Sequence, residues 1–118
     1  MSSDSNFAPL SPTDFHVLLV LAAEDLYGYA ILKAIAEESG GAVSPDIGSL
    51  YRVLGRLVSS DLVNEAAPPD EAPDTHRGRP RRYYSLTDRG RAALEADVRR
   101  LESALVIARA RLQPSSAR

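Results

Sequence analysis

The stretch SPDIGSLYRVLGRLVSSDLVNEA, residues 44–66, changes its period partway along. Ile47, Leu50, Leu54, Leu57 and Val58 recur at helical spacing and form one apolar stripe. Ser44 is placed to cap this helix, Pro45 fits its first position and Asp46 favours its positive end. The opposite side carries Gly48, Ser49, Arg52, Arg56 and Ser59, with Tyr51 at its edge. That face is small, polar or basic and holds no acid. After Asp61 the helical period stops, and LVNEA reads as a short strand.

A second strand candidate, RRYYSL, follows at residues 81–86. Between the two runs APPDEAPDTHRGRP, with four prolines that cannot donate to a ladder, so it reads as the loop of a hairpin. Alternation along the second strand sends one of Tyr83 and Tyr84 inward, and packing rather than base stacking is the expected role of both rings. Upstream, Ser11 and Pro12 open a first helix that is apolar on nearly every side from Phe15 to Ala23, apart from His16. Such a helix is covered all round. In so small a domain, part of the cover for Phe15, Leu18 and Leu19 is expected from a second subunit. A second helix carries Gly28, Ile31, Leu32 and Ile35 on one face and stops at Gly40-Gly41.

Thr87 caps the last helix. Leu94, Val98, Leu101, Leu105, Ala108 and Leu112 recur there at alternating steps of four and three, a seam of about three heptads. A helix from Asp88 to Leu112 would span roughly 37 Å, longer than a small domain needs. It is expected to project and meet a partner helix. The fold class is therefore mainly α with a small β-hairpin wing: a winged helix-turn-helix plus a long C-terminal dimerisation helix. Residues 1–10 are expected as a disordered tail, 11–86 as the winged helix domain with its wing at 62–86, 87–112 as the dimerisation helix and 113–118 as a frayed end.

The 118 residues suffice for one domain with a modest core. There is no cysteine, which fits a reducing cytoplasm. No apolar run is long enough to cross a bilayer, and residues 1–10, with no basic segment ahead of an apolar one, are not expected to act as a secretory signal. The net charge of -2 hides an asymmetry: residues 1–50 carry -6, residues 51–76 carry -3 and residues 77–118 carry +7. Four arginines crowd into residues 77–82 with no acid among them. Local potential rather than total charge governs attraction to nucleic acid. Enzyme chemistry finds no support: two distant histidines, no thiol and no glycine-rich phosphate loop. No catalytic residue, cofactor or metal is expected.

The segments YGYAILKAI, IGSLYRVLGRL, DLV and GRPRRYYSLTDRG, in this order and spacing, resemble the PadR family of bacterial transcriptional regulators, over about residues 15–94. The single short C-terminal helix resembles the smaller branch of that family. The resemblance implies a dimeric winged helix protein whose C-terminal helix packs on the partner's first helix. This chain has Asp61 where the family usually has Gly; Asp tolerates the left-handed turn. In a winged helix the third helix enters the major groove and the wing lies along the backbone or minor groove. Ser44, Ser49, Tyr51, Arg52 and Arg56 are the expected contacts on that helix, with Arg52 the candidate for guanine. Arg77, Gly78, Arg79 and Arg81 are the expected contacts of the wing, where arginine suits phosphate and narrow grooves. Asp70, Glu71 and Asp74 would be repelled by phosphate, so contact is expected from the arginines that follow them. The expected dimer interface is Phe15, Leu18, Leu19, Leu94, Val98, Leu101, Leu105 and Leu112.

The expected function is a DNA-binding regulator, a repressor acting as a homodimer on an inverted repeat in the cytoplasm, with no membrane partner. The alternative is a winged helix used only for protein contact, as a scaffold without DNA binding. The last helix has no aromatic residue from Thr87 onward, so it offers no ring faces for planar drugs. Control is left to a small aliphatic or phenolic effector, or to the protein's own abundance.

Overall fold

Ser11 sits in extended backbone, and its hydroxyl accepts from the Asp14 N–H at 3.1 Å, opening α1 (Pro12–Ala23). The computed structural model describes residues 7–69 and 82–114. After α1 the chain makes β1 (Leu26–Tyr27) and turns directly into α2 (Gly28–Glu38). Gly40 and Gly41 end that helix in the left-handed region, where glycine has no Cβ to clash. The third helix, α3 (Ile47–Ser59), is capped by Asp46, not by Ser44. The helix therefore starts two residues later than the Ser-Pro pair suggested, because the Asp46 carboxylate reaches the Ser49 N–H at 2.7 Å. Ser44 and Pro45 belong to the approach.

Asp61 takes φ +62 and reverses the chain into β2 (Val63–Ala66). The return strand is β3 (Tyr83–Leu86), antiparallel to β2 with Val63 opposite Leu86 and Ala66 opposite Tyr83. The hairpin is not alone. Leu26 and Tyr27 of β1 pair with Tyr84 and Tyr83, giving a three-stranded sheet in the order β1-β3-β2. A two-residue strand leaves no alternation in sequence, so β1 was not legible there. It also changes the expectation for the tyrosines: both rings are buried. Tyr84 joins the core, while Tyr83 meets the ring of Tyr27 edge-on at 5.5 Å. Alternation holds, but both faces are covered.

The core takes Val17, Leu18 and Leu21 from α1, Ile31 and Ile35 from α2, and Leu50, Leu54 and Leu57 from α3. Val63 and Tyr84 close it from the sheet. The last helix, α4 (Asp88–Leu112), adds Ala93 and Leu94. Thr87 ties it in twice: its hydroxyl donates to the Asp61 carbonyl at 2.7 Å and accepts from the Gly90 N–H at 2.8 Å. Gly90 lies so close to the Leu62 carbonyl that a Cβ would overlap it.

Residues 7–10, expected as part of a disordered tail, are seated instead. Phe7 and Leu10 pack on the core, and the Leu10 N–H donates to the buried Asp97 carboxylate at 3.2 Å. The Arg89 guanidinium lies over the Phe7 ring, 5.2 Å from its centroid.

Candidate nucleic-acid interface

The exposed side of α3 is built around its first two turns. Asp46 Oδ1 accepts from the Ser49 N–H, and Ser49 Oγ accepts from Arg52 Nη2 at 3.0 Å. Gly48 lies between the two charges: a Cβ there would stand 3.6 Å from Asp46 Oδ1 and 3.9 Å from Arg52 Nη1. The Ser49 N–H, helped by its hydroxyl and by the Arg52 charge, holds the Asp46 carboxyl below its ordinary value. At neutral pH, the leading end of α3 therefore shows a carboxylate, a bare glycine and a guanidinium in sequence.

Arg56, one turn on, is engaged differently. Its Nη1 and Nη2 donate to Asp14 Oδ2 and Oδ1 at 3.0 and 2.8 Å. Asp14 is buried on α1, and this bonding raises the Arg56 pKa further above its ordinary value. Tyr51 is exposed, but its hydroxyl end leans on Gly28, where a Cβ would strike it. Ser44 is exposed ahead of the helix. Arg77, Gly78, Arg79 and Arg81 lie outside the described residues. Their neighbour Arg82 is exposed, with Nε 3.7 Å from Glu65 Oε1 on the adjacent strand.

The expected dimer residues divide into three groups. Leu18 (0% exposed) and Leu94 (6%) are already enclosed by their own chain. Phe15, Leu19 and Val98 are half-buried. Leu101 (46%), Leu105 (48%) and Leu112 (80%) stand open on the projecting half of α4. Leu101, Ala104, Leu105 and Ala108 line a shallow apolar groove on the same side.

An exposed third helix beside a small sheet, followed by a long final helix, is an arrangement this chain shares with known proteins. Residues 17–96 match the model of the transcriptional regulator PadR-like family. The chain belongs to that family. A PadR-like regulator from Bacillus cereus has the same fold, with a TM-score of 0.69 at 22% identity, covering 86% of this chain and 92% of the other. PadR of Bacillus subtilis, solved in complex with operator DNA, aligns with a TM-score of 0.56 at 23% identity over 70% of this chain and 44% of that one. A protein of a Streptomyces fradiae transposon is 41% identical over 81 residues, 69% of this chain. The chain spans only 20% of that relative's length.

For this PadR-like chain, sequence reasoning left two side chains that touch α3 without their partners. Asp14 was an acid on an otherwise apolar helix, which calls for a partner, but nothing local pointed to Arg56. Asp46 was read only as a favourable charge at the helix end. Among the described residues no group of three or more His, Asp or Glu side chains is placed to hold a metal, and no helix is long and apolar enough to cross a membrane.

Proposed function

We propose that this PadR-like regulator is a repressor that binds an inverted-repeat operator as a homodimer in the cytoplasm. The observation that carries the reading is the outer face of α3, where Ser49, Tyr51 and Arg52 are presented beside the bare Gly48. A protein-docking winged helix would be expected to present apolar or acidic groups there; the one acid is Asp46, at the helix tip and engaged as its cap. Arg52 is the reading side chain, because a guanidinium matches the two acceptors of guanine in the major groove. Ser44 and Tyr51 supply backbone contacts, and Arg77, Arg79 and Arg81 with Gly78 hold phosphates from the wing. Arg56, spent on Asp14, contributes to DNA binding chiefly by holding α3 in place.

The dimer reading is supported by the division of the α4 stripe. One continuous seam is covered by its own domain at Leu94 and uncovered from Leu101 onward. A second copy, bringing its own α1 with Phe15 and Leu19 half-open, is the partner whose chemistry and symmetry suit that face. A two-fold dimer reads two half-sites about one helical turn apart. Selection of bound sites from random duplex DNA tests the whole reading. An enriched inverted repeat is the expected result; no enrichment at low salt would leave the scaffold alternative.

A further inference from the structure

Asp46 stands at the tip of the helix that the reading above sends into the major groove. It is exposed, and its cap to Ser49 occupies only part of the accepting capacity of a carboxylate. It is one residue removed from Gly48, whose lack of a side chain lets base edges come close, and it flanks the same glycine as Arg52. A neutral Ser or Asn would cap α3 equally well. A negative charge in that position carries a cost on any DNA, because phosphates flank the groove on both sides. That cost is offset only where a base offers the carboxylate a hydrogen-bond donor. In the major groove cytosine offers its N4 amino group, the donor that Asp and Glu accept from.

Resting on the DNA-binding reading, we propose that Asp46 is a specificity-determining residue: its carboxylate accepts from a cytosine amino group beside the guanine read by Arg52, and repels α3 from DNA lacking that cytosine. Arg52 and Asp46 then act as a matched pair, one attracting to every phosphate and the other rejecting sites without the right donor. Ser49 joins them, bonded to both in the free protein. The Arg52–Ser49 bond is the one released when the guanidinium extends to its base.

Asp46→Asn keeps the cap and removes the charge. Binding of the purified variant and of the wild type is titrated on the selected operator and on random duplex at several salt concentrations. Thermal unfolding is followed in parallel. The expected result is tighter binding of random duplex by Asp46→Asn with no gain on the operator, so that the ratio between them falls about tenfold. Site selection with the variant should lose one cytosine in each half-site. A ratio unchanged from wild type, with both affinities moved by the same factor, overturns the proposal and leaves Asp46 as a cap. Asp46→Ala separates the capping role, since lost capping lowers the unfolding temperature in either case. If the wild type itself discriminates no sequence, the DNA-binding reading fails first; if it discriminates and Asp46→Asn discriminates equally, only the role of Asp46 fails.

Discussion

Arg56 reaches from α3 to α1 and lays both terminal nitrogens on the two carboxylate oxygens of Asp14, at 3.0 and 2.8 Å. The pair joins residues 42 positions apart and holds α3 against α1. A two-pronged bond of this kind fixes orientation as well as distance. Arg56→Ala leaves the Asp14 carboxylate buried without that partner and should lower stability by about 1–3 kcal/mol in urea unfolding. Because both terminal nitrogens are turned toward Asp14, the same variant should leave the salt dependence of DNA binding close to that of wild type. A fall of about one unit in the salt slope would return Arg56 to the phosphate contacts.

The wing arginines should behave in the opposite way. Arg77→Ala and Arg79→Ala should each reduce the slope of log K against log salt by about one, and weaken operator and random duplex alike. Stability should hardly change. Titrations at four or more salt concentrations make the comparison.

Arg52→Ala should act on sequence preference. Loss of a two-pronged guanine contact costs about 1–3 kcal/mol on the operator and far less on random DNA. Equal losses on both would make Arg52 a phosphate contact only. Its proximity to Asp46 predicts non-additivity: the double variant Arg52→Ala with Asp46→Asn should lose less discrimination than the two single losses combined.

How much of this was legible in the sequence depends on how far apart the interacting residues lie. Ser11 and Thr87 were readable as caps because each bonds an N–H three residues on. The apolar stripe of α3 was readable for the same reason, since period and face are local. The start of α3 was misplaced by two residues because Ser-Pro and Asp are all good beginnings, and only geometry decides which reaches the Ser49 N–H. β1 could not be found, since its strand character comes wholly from pairing with Tyr83 and Tyr84. Asp14 and Arg56 each had a visible oddity, an acid among leucines and a basic group near a buried stripe. Their partnership existed only once α1 and α3 were folded together.

The two ends of the α4 stripe should respond differently to the same change. Leu101→Asp and Leu105→Asp place a charge where the single chain leaves the side chain open, so the domain should stay folded and sediment as a monomer. Leu18→Asp buries a charge in a fully enclosed site and should unfold the protein. Sedimentation together with circular dichroism distinguishes the two. A wild type that is monomeric at micromolar concentration would remove the dimer from the proposal.

Gly90→Ala adds a methyl group where the Leu62 carbonyl and a Leu86 methyl already stand. The first turn of α4 must move away from the hairpin, at a cost of about 1–3 kcal/mol for an overfilled site. The unfolding midpoint should fall accordingly. An unchanged midpoint would mean that α4 can shift freely on its base.

The sheet order β1-β3-β2 has a bearing on how such regulators diversify. Ala66 and Tyr83 face each other as register partners, and β3 is gripped on its far edge by β1 as well. The pairing of Ala66 with Tyr83, and of Tyr83 with Tyr27, thus fixes a gate at the two ends of the segment between β2 and β3. Doubling the length of that segment would add only about 0.6 kcal/mol of closure entropy. Insertions, deletions and swaps of charge can accumulate there while α3 keeps its seat in the core. A laboratory could graft a foreign basic loop at the same gate, and should thereby change how strongly the protein holds DNA of any sequence without touching Asp46 or Arg52.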